Sequence, residues 1–334
     1  MSAPRAKRQK HDKEKEYRIP PDFQSFAPDG DVVFVVNNDT RVRVRSAVMK
    51  GASPVFDTML GPNFMEGQAL AAANTKNDPF EIPLPEEESS LCFGWICRFL
   101  HCQSATVLWN PTCAEIAKVW TILDKYDMKH SMQLSFIFWL NNVLSKTCDS
   151  KDLWLMALVC LQSKDSTSFK TVTRKLLCTE GSFLTSASET EKLVKNSVLG
   201  QDVYKLAAKL QEERADVQSK VTGLVYSELP YIIGCNICRT GTMAYFDYVI
   251  ELTHESGYGI CFLGPGVSLG RIDEVLSDLG NWLSLHGTLH GGSCGNCVAV
   301  HDDLRQEISN VANMINGLCL RCFRTDNACP EHKK

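Results

Sequence analysis

The sequence predicts an α+β fold: a small sheet flanked by helices, then a mostly α-helical extension and a cysteine-rich C-terminal region. Three observations predict it. Two short β-branched runs, Val32 to Val36 and Arg41 to Arg45, flank an Asn-Asn-Asp turn. Amphipathic helical patterning fills most of the chain from Ser46 to about residue 225. Eight of the 15 cysteines crowd into the last hundred residues, at 235, 238, 261, 294, 297, 319, 322 and 329.

The elements follow in order. Residues 1–27 read as a disordered basic tail. The first eighteen carry Arg5, Lys7, Arg8, Lys10, Lys13, Lys15 and Arg18 and almost nothing to bury. Such a tail is either a nuclear-localisation or polyanion-binding patch or a solvated terminus. Pro28-Asp29-Gly30 is a turn signal. Val32 to Val36 suits a strand buried on both faces. Arg41 to Arg45 alternates strictly, so Val42 and Val44 face the core and three arginines face out, and the two runs form a hairpin. A helix starts at Ser46. Ser53 caps the next, with Pro54 at its first position, Phe56, Met59 and Leu60 on its apolar face, and Gly61-Pro62 as its stop. Glu81 to Pro85 is a short extended piece whose prolines suit a strand end or sheet edge. A helical stripe of Leu91, Trp95 and Phe99 with Cys92, Ile96 and Leu100 comes next. Thr112 to Glu115 is a capping box, opening a helix with Ile116, Val119, Leu123 and Tyr126 on one face. Another apolar helix runs from about Met132 to Leu144.

Residues 146–225 read as all helix. Asp152 to Leu161 is apolar on nearly every side and so buried, and Phe169, Val172 and Leu176 share a face. Ser188 to Glu191 is a second capping box, with Gly200 closing that helix. Val203, Leu210, Val217 and Leu224 recur every seven residues. Glu213 and Arg214 fall at the partner positions, which favours one face of a bundle helix over a coiled-coil seam. Residues 226–334 are glycine- and cysteine-rich, with helical pieces expected at 245–253, 271–285 and 302–315.

Composition excludes several classes. The chain has 334 residues, suited to about two domains, with 44% hydrophobic and 22% charged residues. Net charge is −4, so no global basic field marks a nucleic-acid binder. The longest apolar run, Leu153 to Leu161, is too short to span a bilayer. No hydrophobic stretch follows the N-terminal basic residues, so a secretory leader is not expected and the cysteines are expected to be reduced thiols or metal ligands.

The segment Pro28 to Val36, with Arg41 to Gly67 (RVRVRSAVMKGASPVFDTMLGPNFMEG), resembles the BTB/POZ domain in its fungal form. Glu81 to Glu86 and Leu123 to Asp127 match later landmarks of that family, and the likeness covers residues 28–145. Arg45 stands where the family usually has a histidine at the strand-to-helix corner. The segment before Asp31 lacks an obvious extra strand and helix, the elements many relatives use to swap into dimers, so the resemblance does not imply a homodimer. It implies a non-enzymatic adaptor that binds protein partners, either a cullin-type ubiquitin-ligase scaffold or transcription factors, in the nucleus or cytoplasm. Residues 146–225 resemble the helical extension that follows such domains, and paired cysteines near the C-terminus resemble those of fungal relatives.

The strongest chemical signal is three Cys-x-x-Cys pairs, Cys235/Cys238, Cys294/Cys297 and Cys319/Cys322. Each presents two sulfurs close enough to share a tetrahedral ion. The last pair continues to Cys329 and His332, giving four ligands within fourteen residues; His286, His290 and His301 lie near the second pair. A structural zinc is expected on some of these residues, either joining two pairs or as a terminal knuckle; the other readings are reduced, partly buried thiols packing as small apolar groups, and redox or disulfide use. Gly266 to Gly270 matches a hydrolase nucleophile elbow at Ser268, but no repeated strand–helix alternation surrounds it, and a helix-capping serine is the expected role. No catalytic residue is assigned. Glu86, Glu87 and Glu88 read as charges complementing a helix start. The cysteines at 92, 97, 102, 113, 148, 160 and 178 read as ordinary packing thiols. A second functional reading is a zinc-binding nuclear regulator touching nucleic acid through its C-terminal region.

Overall fold

In the computed structural model, the described residues are 23–73, 79–85, 89–103, 109–146, 148–195, 197–233, 269–270, 306, 310, 313, 315–325, 329–330 and 332. They form a mixed α+β chain, mostly helical with a four-stranded sheet. Two compact units divide it, residues 1–109 with 122–133 and residues 110–121 with 134–334.

The first unit holds the sheet, in the order β1-β3-β2-β4: β1 Phe23–Ser25, β2 Val32–Val36, β3 Thr40–Val44 and β4 Phe80–Pro83. β2 and β3 are the expected hairpin, with Val32 opposite Val44 and Val36 opposite Thr40. Its turn bends through Asn37 and Asn38, both at positive φ (55° and 60°), which asparagine tolerates better than most residues. Val42 and Val44 are fully buried, as the alternation predicts. The outward arginines are tied down. Arg41 pairs with Glu81 at 2.8 Å, Arg43 donates to the Gly30 carbonyl at 2.9 Å, and Arg45 forks onto Asp29 at 2.8 and 3.1 Å. β4 runs parallel to β2 on the sheet edge, with Pro83 at its end.

Two elements of the first unit escape the sequence patterning. β1 lies inside the stretch read as a tail before the first strand, and it pairs in parallel with β3 of its own chain. Only three residues long, it carries no alternation to read. It is seated from outside: Gln24 is buried where Gly94 leaves room, since a Cβ there would lie 2.3 Å from the Gln24 amide oxygen. The second is helix α3, Met65–Ala72, which follows α1 (Ser46–Ala52) and α2 (Pro54–Met59). Only Gly67 of α3 is buried, so it has no apolar stripe to betray it.

The core of this unit is aromatic. Phe56 stacks on Tyr126 at 4.6 Å, Phe34 lies 5.0 Å from Phe56, and Phe93 meets Phe34 edge-on at 5.7 Å. Ser53 caps α2 as expected: its hydroxyl accepts from the Phe56 amide at 3.0 Å and donates to the Tyr126 carbonyl. Helix α4, Ser90–Leu100, buries Cys92 through Cys97 but leaves Leu91 in solvent, so the stripe is turned from the expected Leu91/Trp95/Phe99 line. Glu86, Glu87 and Glu88 lie outside the described residues.

Helices α5 (Cys113–Lys125) and α6 (Lys129–Leu144) follow. The Thr112 capping box forms, with the Thr112 amide donating to Glu115 at 2.7 Å and the Glu115 amide to the Thr112 hydroxyl at 3.2 Å. The second unit continues as α7 (Ser150–Ser163), α8 (Ser166–Leu177), α9 (Phe183–Val194), a 3-10 turn (Val198–Asp202), α10 (Val203–Ile233) and α11 (Leu320–Thr325). All nine residues from Leu153 to Leu161 are buried. Ser188 is no cap. It lies within α9, which begins at Phe183 because Phe183, Ala187, Thr190 and Val194 supply its buried face, and Gly200 sits in the 3-10 turn. Val203, Leu210 and Val217 are buried in this unit, in keeping with one bundle face. Arg214, which argues against burial in the sequence, is fully buried. Its guanidinium lies 3.8 Å from the Phe183 ring centre and donates to the carbonyls of Thr179 (2.6 Å) and Gly181 (2.8 Å), just past the end of α8. Desolvation lowers its pKa to about 10, opposed by Cys178, so it stays charged near neutrality. No helix among the described residues is long and apolar enough to cross a membrane.

Candidate metal centre

The last Cys-x-x-Cys pair opens α11. Cys319 precedes the helix, and its carbonyl accepts the first helical bond from the Phe323 amide at 2.9 Å. Cys322 lies three residues on, which places both sulfurs on one face. A tight turn brings the remaining two ligands back: the His332 amide donates to the Cys329 carbonyl at 2.8 Å. The ligand atoms of Cys319, Cys322, Cys329 and His332 all lie within 4.8 Å of one another.

The distances suit a tetrahedral ion. With zinc–sulfur bonds of about 2.3 Å and zinc–nitrogen bonds of about 2.0 Å, sulfurs stand about 3.8 Å apart and a sulfur and nitrogen about 3.5 Å apart. Cys319 and Cys329 sulfurs are 3.9 Å apart, and Cys322 Sγ is 3.6 Å from His332 Nδ1. Cys329 Sγ is closer to that nitrogen, at 3.0 Å. The Cys329 amide also donates to Cys322 Sγ at 3.3 Å, a contact that favours the thiolate. Without a cation, desolvation and then the neighbouring Cys329 and Cys319 thiols push the Cys322 thiol up, against that amide. A divalent ion reverses this balance. Glu213 of α10 is raised chiefly by desolvation and then by the Asp216 charge, against Lys220.

The cluster is thus a site that could hold a metal ion, and among the described residues it is the one group of this kind. Of the eight residues expected as ligands, the structure brings together these four. Cys235, Cys238, Cys294 and Cys297 lie outside the described residues, as do Ser268, Cys261, His286, His290, His301 and the three helical pieces expected over 245–315 apart from isolated positions. Cysteines elsewhere divide by surroundings. Cys92, Cys97, Cys113 and Cys160 are buried, Cys148 is half-buried, and Cys102 and Cys178 are exposed. Burial raises the Cys97 and Cys160 thiols far above their ordinary value.

His101, which caps α4, is a residue that sequence reasoning missed. Its Nε2 accepts from the Arg45 amide at 3.0 Å and its Nδ1 lies 2.8 Å from the Cys97 carbonyl, so the ring is neutral with the proton on Nδ1. It serves the strand-to-helix corner at which the chain carries Arg45, beside Asp31, which accepts from the Ser46 amide and hydroxyl at 2.7 and 2.6 Å. Sequence distance, 56 residues, hides this pairing.

No family model matches the chain, and no curated protein or solved structure matches it either.

Proposed function

We propose that the chain is a non-enzymatic protein–protein interaction protein that acts through a BTB/POZ-like first unit, with a structural zinc ion at Cys319, Cys322, Cys329 and His332. The observation that carries the interaction reading is the adjacent exposed pair Phe64 and Met65 at the start of α3, Met65 being 81% exposed, with Val55 and Leu91 also in solvent on α2 and α4. Neighbouring large apolar side chains left in water are of the kind that anchor a partner. The strand order supports the kinship: a hairpin, helices, then a strand returning parallel to β2. Four protein donors fill a tetrahedron and leave no open position, so the ion would hold structure rather than activate water.

The partner would be a cullin-type scaffold or a transcription factor, met in the nucleus or cytoplasm. Met65→Asp paired with Phe64→Asp tests the reading. Affinity capture of the full chain from its host should recover a partner of one of these classes, and the double variant should lose it while melting as wild type does. An identical set of captured proteins would overturn the assignment of this surface.

A second reading, a zinc-binding nuclear regulator that contacts nucleic acid, is favoured by Arg321 and Arg324, both exposed on α11 beside the cluster. It expects DNA or RNA binding that falls steeply with salt. No binding at low salt ends it.

A further inference from the structure

We infer, resting on the zinc reading, that the ion is the latch of a strap: residues 315–325, with Cys329 and His332, lie on α8 when it is bound and leave α8 when it is lost. Metal occupancy then decides whether this face of α8 is covered.

Docking residues and ligands interleave along the strap. Leu318 precedes Cys319, Leu320 follows it, and Phe323 follows Cys322. Any ion that orders the sulfurs therefore orders the docking residues as well. The docking is specific. The Leu318 amide donates to the buried Thr173 hydroxyl at 2.9 Å, and that hydroxyl donates to the Phe169 carbonyl at 2.7 Å. Gly317 adopts φ +75°, and a Cβ there would meet the Lys170 carbonyl oxygen at 2.1 Å and the Arg174 amide nitrogen at 2.8 Å. Only glycine lets the strap approach α8 so closely. The Phe323 ring meets Phe169 edge-on at 5.6 Å, and Lys205 Nζ stands 5.0 Å from its centre.

Among the described residues, the buried apolar side chains of the strap are Ile315, Leu318, Leu320 and Phe323, with Cys329. Ordering a segment of this length costs backbone and side-chain entropy, and metal binding would contribute to offsetting it. If the ion favours docking, docking must favour the ion by the same factor.

That reciprocity supplies the test. Zinc affinity of the full chain is measured by competition with a chromophoric chelator, using Cys322→Ser to identify the zinc held by this cluster. Hydrogen exchange of 166–177 and 315–325 is followed before and after chelation. Gly317→Val and, as a second variant, Phe323→Ala disturb docking without touching a ligand. Each should weaken zinc binding at this cluster by about tenfold, within the usual range of such coupling. Chelation should release exchange protection in α8 of the wild type. Unchanged affinity in both variants, or chelation that strips the ion and leaves α8 protected, would overturn the latch while leaving the zinc reading standing. Zinc content unaffected by Cys322→Ser would remove the ion itself, and the latch with it.

Discussion

The sheet of the first unit and the strap of the second use cysteine in opposite ways. Cys97 ends the buried run of α4 that starts at Cys92, and burial alone drives its thiol up. Cys322 lies on a six-residue helix with three other side chains within 4.8 Å that could hold a metal ion with it. The difference is the apolar material at hand. Around the sheet, Val32, Phe34, Val42, Val44, Phe56 and Phe93 are all fully buried, so a cysteine there is one more packing group. The strap has few such residues, and its three cysteines gather with His332 where, on the zinc reading, a cation would make thiolates favourable. On that reading, surroundings rather than residue type decide whether a thiol packs or ligates.

The largest effect should come from breaking the packed side of this contrast. Val44→Asp places an unpaired charge at a fully buried strand position and should destabilise the first unit by more than about 4 kcal/mol. A cooperative melt at the wild-type temperature would contradict the core described for β3. Next comes Arg214→Ala. It leaves the Thr179 and Gly181 carbonyls without their donor and a space beside Phe183, at a cost of about 3 kcal/mol in chemical denaturation. Arg214→Lys should recover only part of the loss, since an ammonium lacks the planar pair of nitrogens that reaches the two carbonyls while lying against Phe183. Cys97→Ser sharpens the contrast directly. A buried hydroxyl in place of the thiol should cost about 1–2 kcal/mol, with zinc content unchanged.

The smallest effect concerns His101. Desolvation first, then the Arg45 charge, hold its pKa below the ordinary value, against the Cys97 carbonyl and Asp29. The unfolded chain therefore takes up the proton first as pH falls. The contribution of this ring is complete above its unfolded pKa, about 6.5, and is lost as pH falls through the lower folded value. His101→Gln, which keeps an acceptor, should flatten the decline in melting temperature between neutral and mildly acidic pH. An identical slope in the variant would show that the corner does not depend on imidazole.

Much of the fold is legible along the chain where one face is buried against another. The Val42/Val44 alternation, the Ser53 cap, the Thr112 box and the run from Leu153 to Leu161 each carry their own local signal. What is illegible is made by distance or by exposure. β1 is three residues whose register comes from β3, and α3 is nearly all exposed or half-buried. Arg214 reads as a solvated charge because its carbonyl partners lie 33 and 35 residues away. The C-terminal cluster is the reverse case. Four potential ligands within fourteen residues come together locally, so spacing points to them, whereas Thr173, 145 residues from Leu318, appears only in three dimensions.

The claim on which the contrast rests is that Cys319, Cys322, Cys329 and His332 hold one zinc ion. Elemental analysis of the purified full chain beside Cys322→Ser tests it most directly. The variant should contain about one equivalent less zinc than the wild type, as expected when a four-ligand site loses a thiolate. Equal zinc in the two proteins, or none in either, would contradict it.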